Sequence, residues 1–340
     1  MRKMSWLLVV MMLLLVAGCA TEPAAEEPEV EEPAEGEEEP VEETPVRVAI
    51  AFPGSIKDMG WSQSGHEALM EAKSKYNLEV SFQETVSNAE VKDVLRNYAS
   101  DGYDLVIAHE LYFSDPTLEV APEFPDTQFA VTYGYQGAEN VAGFTGTNWE
   151  STYLAGVLGG LVSETGTIGI LTATDSPVAL RMYNGFKMGA LRANPDVQVI
   201  HAYVGSWDDV VKGKELVRSM VGEGADIIYT QCGQVNVGAV EAAAEAGIMA
   251  IGSMVDMTDV DPQTVIASAV SPPGAYVTMA IETFLSNEME GKSYVLGVKD
   301  GAEDLVYNPF FEEQFSKEIL DTVQLEKERL IQGEVEEPTA

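Results

Sequence analysis

Histidine, cysteine and cationic side chains are scarce in this chain, and each scarcity excludes something. Three His and two Cys occur in 340 residues. His66, His109 and His201 are scattered and show no metal-ligand spacing. Asp256, Asp259 and Asp261 make an acidic turn, but it lacks the glycine and terminal Glu of a calcium loop. That turn reads as solvated loop, so neither a metal nor a cofactor is expected. Lys and Arg number 19 against 56 Asp and Glu, a formal net charge of −37. Phosphate binding needs clustered cations, so nucleic acid is excluded as a partner. Phosphate-loop and dinucleotide-binding glycine patterns are absent, as is Gly-x-Ser-x-Gly. No nucleophile–base motif is recognisable, and the chain reads as a protein without catalytic activity.

Long hydrophobic runs are also lacking. The longest, Trp6 to Ala17, is too short to span a bilayer comfortably. It follows Arg2 and Lys3 and ends in small residues, the layout of a targeting segment over 1–18. Leu15-Val16-Ala17-Gly18-Cys19 resembles a bacterial lipobox, which implies cleavage before Cys19 and its acylation. The alternative is an ordinary signal peptide or anchor with a chance cysteine. Acyl chains on Cys19 would hold a soluble body stably at a membrane surface, facing away from the cytoplasm. Only Cys232 then remains, and no intrachain disulfide is available. Residues 20–45 hold twelve Glu and no Lys or Arg. Such a segment repels itself and cannot build a core, so 19–45 is expected to be a disordered acidic tether.

What is present is an alternation of apolar, β-rich runs with helical patterns. Strands are expected at 46–52, 78–83, 104–108, 128–132 and 141–145. A second set is expected at 167–172, 197–204, 226–230, 248–252 and 265–270. Helices are expected at 64–76, opened by a Ser64-x-x-Glu67 capping box, and at 89–101, 150–163, 177–193, 209–222 and 234–246. Gly247 sits where a C-cap belongs. A further helix near 273–290, after Pro272-Pro273, is expected to cross back to the first lobe. The fold class is α/β, with two lobes, each a parallel sheet flanked by helices.

Polar and aromatic residues gather where strands should end. Asp58, Trp61, Ser62 and Gln63 follow the first strand, and His109, Glu110, Tyr112 and Phe113 the third. Trp207 follows a strand of the second set, Gly233 another and Asp256 another. In open α/β sheets such loops line the ligand crevice. Two indoles from opposite lobes can sandwich a flat ring, while Asp58, Glu110 or Asp256 can accept its N–H groups. The alternatives are core packing for each Trp, a helix N-terminal charge for Asp58 and plain solvation for Glu110.

At these residues the chain resembles the basic membrane protein family, also called Med-like or purine nucleoside receptor lipoproteins. The resemblance covers roughly 46 to 310. It rests on Asp58-Met59-Gly60-Trp61-Ser62-Gln63, Tyr153-Leu154-Ala155-Gly156, Gly185-Phe186, Tyr203-Val204-Gly205-Ser206-Trp207-Asp208-Asp209, Gly213-Lys214-Glu215 and Gly224-Ala225-Asp226. It implies a type I periplasmic-binding-protein fold. It also implies a substrate-binding lipoprotein of an ABC importer, with permease and ATPase partners and a purine base held between Trp61 and Trp207. Nucleoside-binding members tend to carry Asn at Ser62, a Gly-x-Asp-x-Asp motif at Gly252-Ser253-Met254-Val255-Asp256 and Lys near Ser271. The Trp in the first loop and the Asp256-Met257 pair look more like the Med-like subgroup; base and nucleoside both stay open, with the nucleobase slightly favoured. The rivals are a ligand sensor of the same fold, a nucleoside-processing enzyme and a surface adhesin or antigen. The expected layout is 46–147 plus about 271–293 for the first lobe, 148–270 plus about 294–330 for the second, and an acidic tail over 331–340.

Overall fold

A computed structural model describes residues 44–339 apart from Met59. The targeting segment, Cys19 and nearly all of the tether lie outside the described residues. In the first part of the chain β1 (Val46–Ala51), α1 (Trp61–Lys75), β2 (Leu78–Gln83), α2 (Val91–Ser100), β3 (Leu105–Ala108), α3 (Ser114–Val120), β4 (Gln128–Thr132) and β5 (Val141–Gly146) follow in order. The second part holds α4 (Glu150–Val162), β6 (Thr167–Thr172), α5 (Pro177–Ala193), β7 (Gln198–Tyr203), α6 (Val210–Gly222), β8 (Ile227–Gln231), α7 (Val235–Ala246), β9 (Met249–Met254) and β10 (Val265–Val270). The chain ends with α8 (Pro273–Leu285), β11 (Ser293–Leu296), β12 (Asp304–Tyr307), α9 (Pro309–Glu312) and α10 (Lys317–Ile331).

The strands form two six-stranded sheets, β2-β1-β3-β4-β5-β11 and β7-β6-β8-β9-β10-β12. All neighbours run parallel except β10 and β12. The two orders correspond strand for strand, so one topology has been used twice. Every residue of β3, β5 and β8 is buried, as strands covered by helices on both faces must be.

The sequence pattern missed the sixth strand of each sheet. β11 and β12 are four residues each and carry few consecutive apolar side chains. β11 pairs with β5, so the stretch from 294 to 296 belongs to the first sheet and not to the second lobe. Helix α1 begins at Trp61, three residues before the expected capping box. The Asp58 carboxylate accepts the N–H groups of Gly60, Ser62 and Gln63 at 2.9, 2.9 and 3.1 Å, which starts the helix early. Ser64 Oγ instead accepts the N–H of Gly274 at 2.9 Å, tying α1 to α8. The return of α8 to the first lobe is as expected, since Tyr276, Val277, Ala280 and Ile281 join its core. The expected tail packs back on the second lobe, where Glu337 reaches Arg181 at 3.2 Å and Val335 meets the core.

Several quoted motifs are packing devices. A Cβ on Gly156 would lie 2.0 Å from the Phe186 carbonyl oxygen, and one on Gly189 would lie 2.0 Å from that of Tyr153. Helices α4 and α5 therefore cross backbone to backbone. Asp226 receives Ser163 Oγ at 2.7 Å and the N–H groups of Glu164 and Thr165 at 2.6 and 2.8 Å.

Three connections join the lobes, at 147–149, 271–272 and 297–303. They leave from the C-terminal ends of β5, β10 and β11, so those ends of both sheets face the space between the lobes. Glu303, 1% exposed, ties the third connection to the first. Its carboxylate accepts Thr147 Oγ1 and the Asn148 N–H, both at 2.7 Å, and the Ser151 N–H and Oγ, both at 3.0 Å. Glu150 accepts the Val298 N–H at 2.7 Å.

Candidate functional site

Strand order reverses beside β1 in the first sheet and beside β6 in the second. Ligands of open α/β sheets bind at such switch points, outside the strand C-termini. The loops concerned are 52–60 and 109–113 in the first lobe, and 173–176 and 231–234 in the second. Two cavities elsewhere do not compete for this role. One, of about 240 Å³, lies between β12 and α10, and one, of about 430 Å³, lies at the N-terminal end of β3.

In the first lobe, Trp61 is half-buried at the head of α1. Its indole N–H donates to the His109 carbonyl at 2.9 Å, and His109 Nε2 lies 3.1 Å from the Trp61 carbonyl. Nε2 must be the donor of that pair, because a carbonyl only accepts. Nδ1 then accepts from Thr132 Oγ1 at 3.0 Å. His109 is fully buried, and burial pushes its pKa down to about 4, so the ring is neutral. Tyr133 meets the indole edge-on, with centroids 4.9 Å apart at 61°. The indole is thus gripped on two sides before any ligand arrives.

The other first-lobe candidates divide by what already occupies them. The Asp58 carboxylate is taken up by three backbone N–H groups, which is the helix-terminal alternative. Ser62 is buried and its Oγ accepts the Gly54 N–H at 3.2 Å, pinning the loop. Gln63 donates to Glu67 Oε1 at 2.9 Å. Glu110 carries a long 3.4 Å contact from the Tyr112 N–H, and burial raises its pKa. Of the acidic candidates in this lobe, Glu110 has the weakest internal commitment.

In the second lobe, Trp207 is 50% exposed and lies against Gly233. Gly233 has φ +59°, and a Cβ there would come within 3.4 Å of the indole Cε3. Glycine is therefore needed both for the backbone and for the indole's seat. Beneath the loop, Asn236 accepts the Cys232 N–H at 2.8 Å and donates to Ser253 Oγ at 2.9 Å. Asp256 is exposed, and its Oδ1 accepts the Thr258 N–H at 2.9 Å and Oγ1 at 2.7 Å. Met254 has φ +66° at the end of β9.

The site features missed by sequence reasoning are the supports Thr132, Tyr133 and Asn236, and the grip of the His109 ring on Trp61. Their only signal was position: Thr132 and Tyr133 at the end of β4, and Asn236 in the first turn of α7. Among the described residues no cluster of His, Cys, Asp and Glu suits a metal, and no helix is long and apolar enough to cross a membrane.

Comparison with known proteins agrees with this architecture. The sequence model of the Bmp family, described as ABC transporter substrate-binding protein PnrA-like, matches residues 45–337. The transcriptional activator protein Med of Bacillus subtilis is 26% identical over 80% of this chain and 86% of its own length. A purine-binding protein of Brucella abortus is 28% identical over 75% of this chain and 73% of its own. The solved solute-binding protein of an ABC transporter system from Conexibacter woesei superposes with TM-score 0.72 at 24% identity. It covers 86% of this chain and 99% of that one.

Proposed function

Because the chain belongs to the PnrA-like family of ABC transporter substrate-binding proteins, we propose that it captures a purine-type nucleobase or nucleoside for import. The ring would be held between Trp61 and Trp207, with Glu110 as the first acceptor for its N–H groups. The observation that carries this reading is the pair of indoles, one beside each switch point, one gripped and one half-exposed. The purine-binding relative supports the ligand class. Asp58, Ser62, Gln63 and Gly233 then frame the site, while Asp256 borders it.

Charge narrows the ligand further. The strand-end segments 52–60, 109–113, 173–176, 204–209, 231–234 and 254–258 contain one cation, Lys57, and six carboxylates. Such a site disfavours a phosphate, because opposing charge is what makes anion capture favourable. A neutral or cationic ring is expected to bind, and its 5′-phosphate is not. Anchoring through acylated Cys19, an extracytoplasmic position, and permease and ATPase partners complete the proposal.

A thermal-shift screen of the intact chain against adenine, guanine, hypoxanthine, their nucleosides and nucleotides, and neutral sugars tests it. A ligand at a hundredfold excess over its Kd adds about 2.7 kcal/mol of stability. Stabilisation by bases more than nucleosides, and not by nucleotides, is expected. Response to sugars alone would sink the purine reading. The relative named as a transcriptional activator favours a second reading, a sensor of the same ligand. Co-purification of a permease and ATPase supports import, and ligand-dependent transcription without them supports sensing.

A further inference from the structure

We propose that Tyr133 is a positioning residue that couples the Trp61 indole to the hinge, so that a ring seated on Trp61 is felt where the lobes turn. The proposal rests on the reading of Trp61 as a ligand-stacking wall. Tyr133 follows β4 and leaves the strand with φ +57°. A bulky aromatic rarely adopts this left-handed backbone, and it persists only where the surroundings enforce it. Here the Tyr133 N–H donates to the Phe144 carbonyl at 2.6 Å.

The side chain makes contacts in three directions. Its ring meets Trp61 at 4.9 Å and Tyr276 at 5.0 Å, the latter at 84°. Its hydroxyl donates to Asn148 Oδ1 at 3.2 Å. Asn148 lies in the first interlobe connection and is itself left-handed, with φ +62°. Its N–H donates to Glu303 at 2.7 Å, and its Nδ2 to the Gly146 carbonyl at 2.7 Å. Trp61, Tyr133, Asn148 and Glu303 thus form one unbroken chain from the ligand wall to the carboxylate that ties the first connection to the third. The Tyr276 hydroxyl is buried above Gly146 and interacts with the Tyr133 hydroxyl.

Coupling is demonstrated by an effect between residues that do not touch. Amide hydrogen exchange is to be measured on the intact chain, on Trp61→Leu and on the near-isosteric Tyr133→Phe. Trp61→Leu is expected to speed exchange of the Asn148 and Ser151 amides roughly threefold or more, the signature of local opening. Tyr133→Phe is expected to do the same and to sever the link, so that the double variant adds little. A merely local role for Tyr133 would leave the Asn148 and Ser151 amides of Trp61→Leu at the wild-type rate, and that result would overturn the proposal. In the second arm, adenine, guanine and adenosine are added. Protection of 146–151 in the wild type, with binding but no such protection in Tyr133→Phe, supports the coupling. Equal protection in both overturns it. If none of these probes binds the wild type, the purine reading falls while the exchange result still decides the coupling.

Discussion

Trp61 and Trp207 differ in how far the fold already engages them. Trp61 spends its N–H on His109 and is gripped by Tyr133, whereas Trp207 rests on Gly233 with half its surface exposed. Trp207→Ala is therefore expected to change stability by no more than about 0.5 kcal/mol, the usual range for an exposed side chain. Its loss of one stacking partner is expected to weaken purine affinity by about tenfold, or ~1.4 kcal/mol. Urea denaturation and calorimetric titration separate the two effects. A large drop in stability would mean the indole is core and not ligand wall. His109 offers a pH-dependent counterpart. Burial lowers its pKa from 6.5 to about 4, so the fold prefers the neutral ring. That contribution is fully present above 6.5 and is lost as pH falls toward 4. His109→Gln is expected to remove this acid sensitivity, read from urea midpoints between about pH 7 and 4. Both indoles could be read from the sequence, because Gly, Ser and Asp around them marked loops. The place of His109 in the same loops could be read too, but its grip on the Trp61 indole could not, since that depends on what packs on the ring.

At the scale of elements, local signals placed helices better than they placed their ends. The Gly247 cap was legible and is left-handed at φ +71°. The start of α1 was not, because Ser64 looked like a cap in sequence while Asp58 held three N–H groups in space. The tightest element contact is the crossing of α4 and α5. Gly156→Ala would force a methyl against the Phe186 carbonyl, and overpacking of this kind costs about 1–3 kcal/mol. A thermal melt should show the loss, and an unchanged melting temperature would mean that the helices can separate freely. Glu303 is the corresponding device between elements. Glu303→Gln replaces one acceptor oxygen with a donor facing N–H or O–H groups. It is expected to cost about 1.5–3 kcal/mol, the range for a hydrogen bond to a charged group.

For the whole molecule, the expected motion is closure of the lobes about the three connections. Small-angle scattering with a bound purine should show compaction, and an unchanged radius would count against hinge closure. The hinge also carries a pH term. Burial, opposed by the Val298 N–H and aided by Glu303 and Asp300, raises Glu150 from 4.5 to about 7. A raised carboxylate favours the folded state below 4.5, and that contribution is lost as pH rises toward 7. This runs opposite to the His109 term where their windows overlap. Glu150→Gln is expected to flatten the decline of stability from about pH 5 to 7 and leave the His109 limb in place. Denaturant midpoints across that range check the sign. The sequence alone determined the alternating α/β pattern, the two successive strand sets, the acidic charge and the aromatic loops. These are properties of neighbouring residues: periodicity, composition and turn chemistry. Only the tertiary structure decided that Asp58 caps a helix, that Tyr133 bridges indole and hinge, and that Glu303 gathers residues some 150 positions earlier. Such contacts depend on where distant segments meet, and no local pattern encodes the meeting.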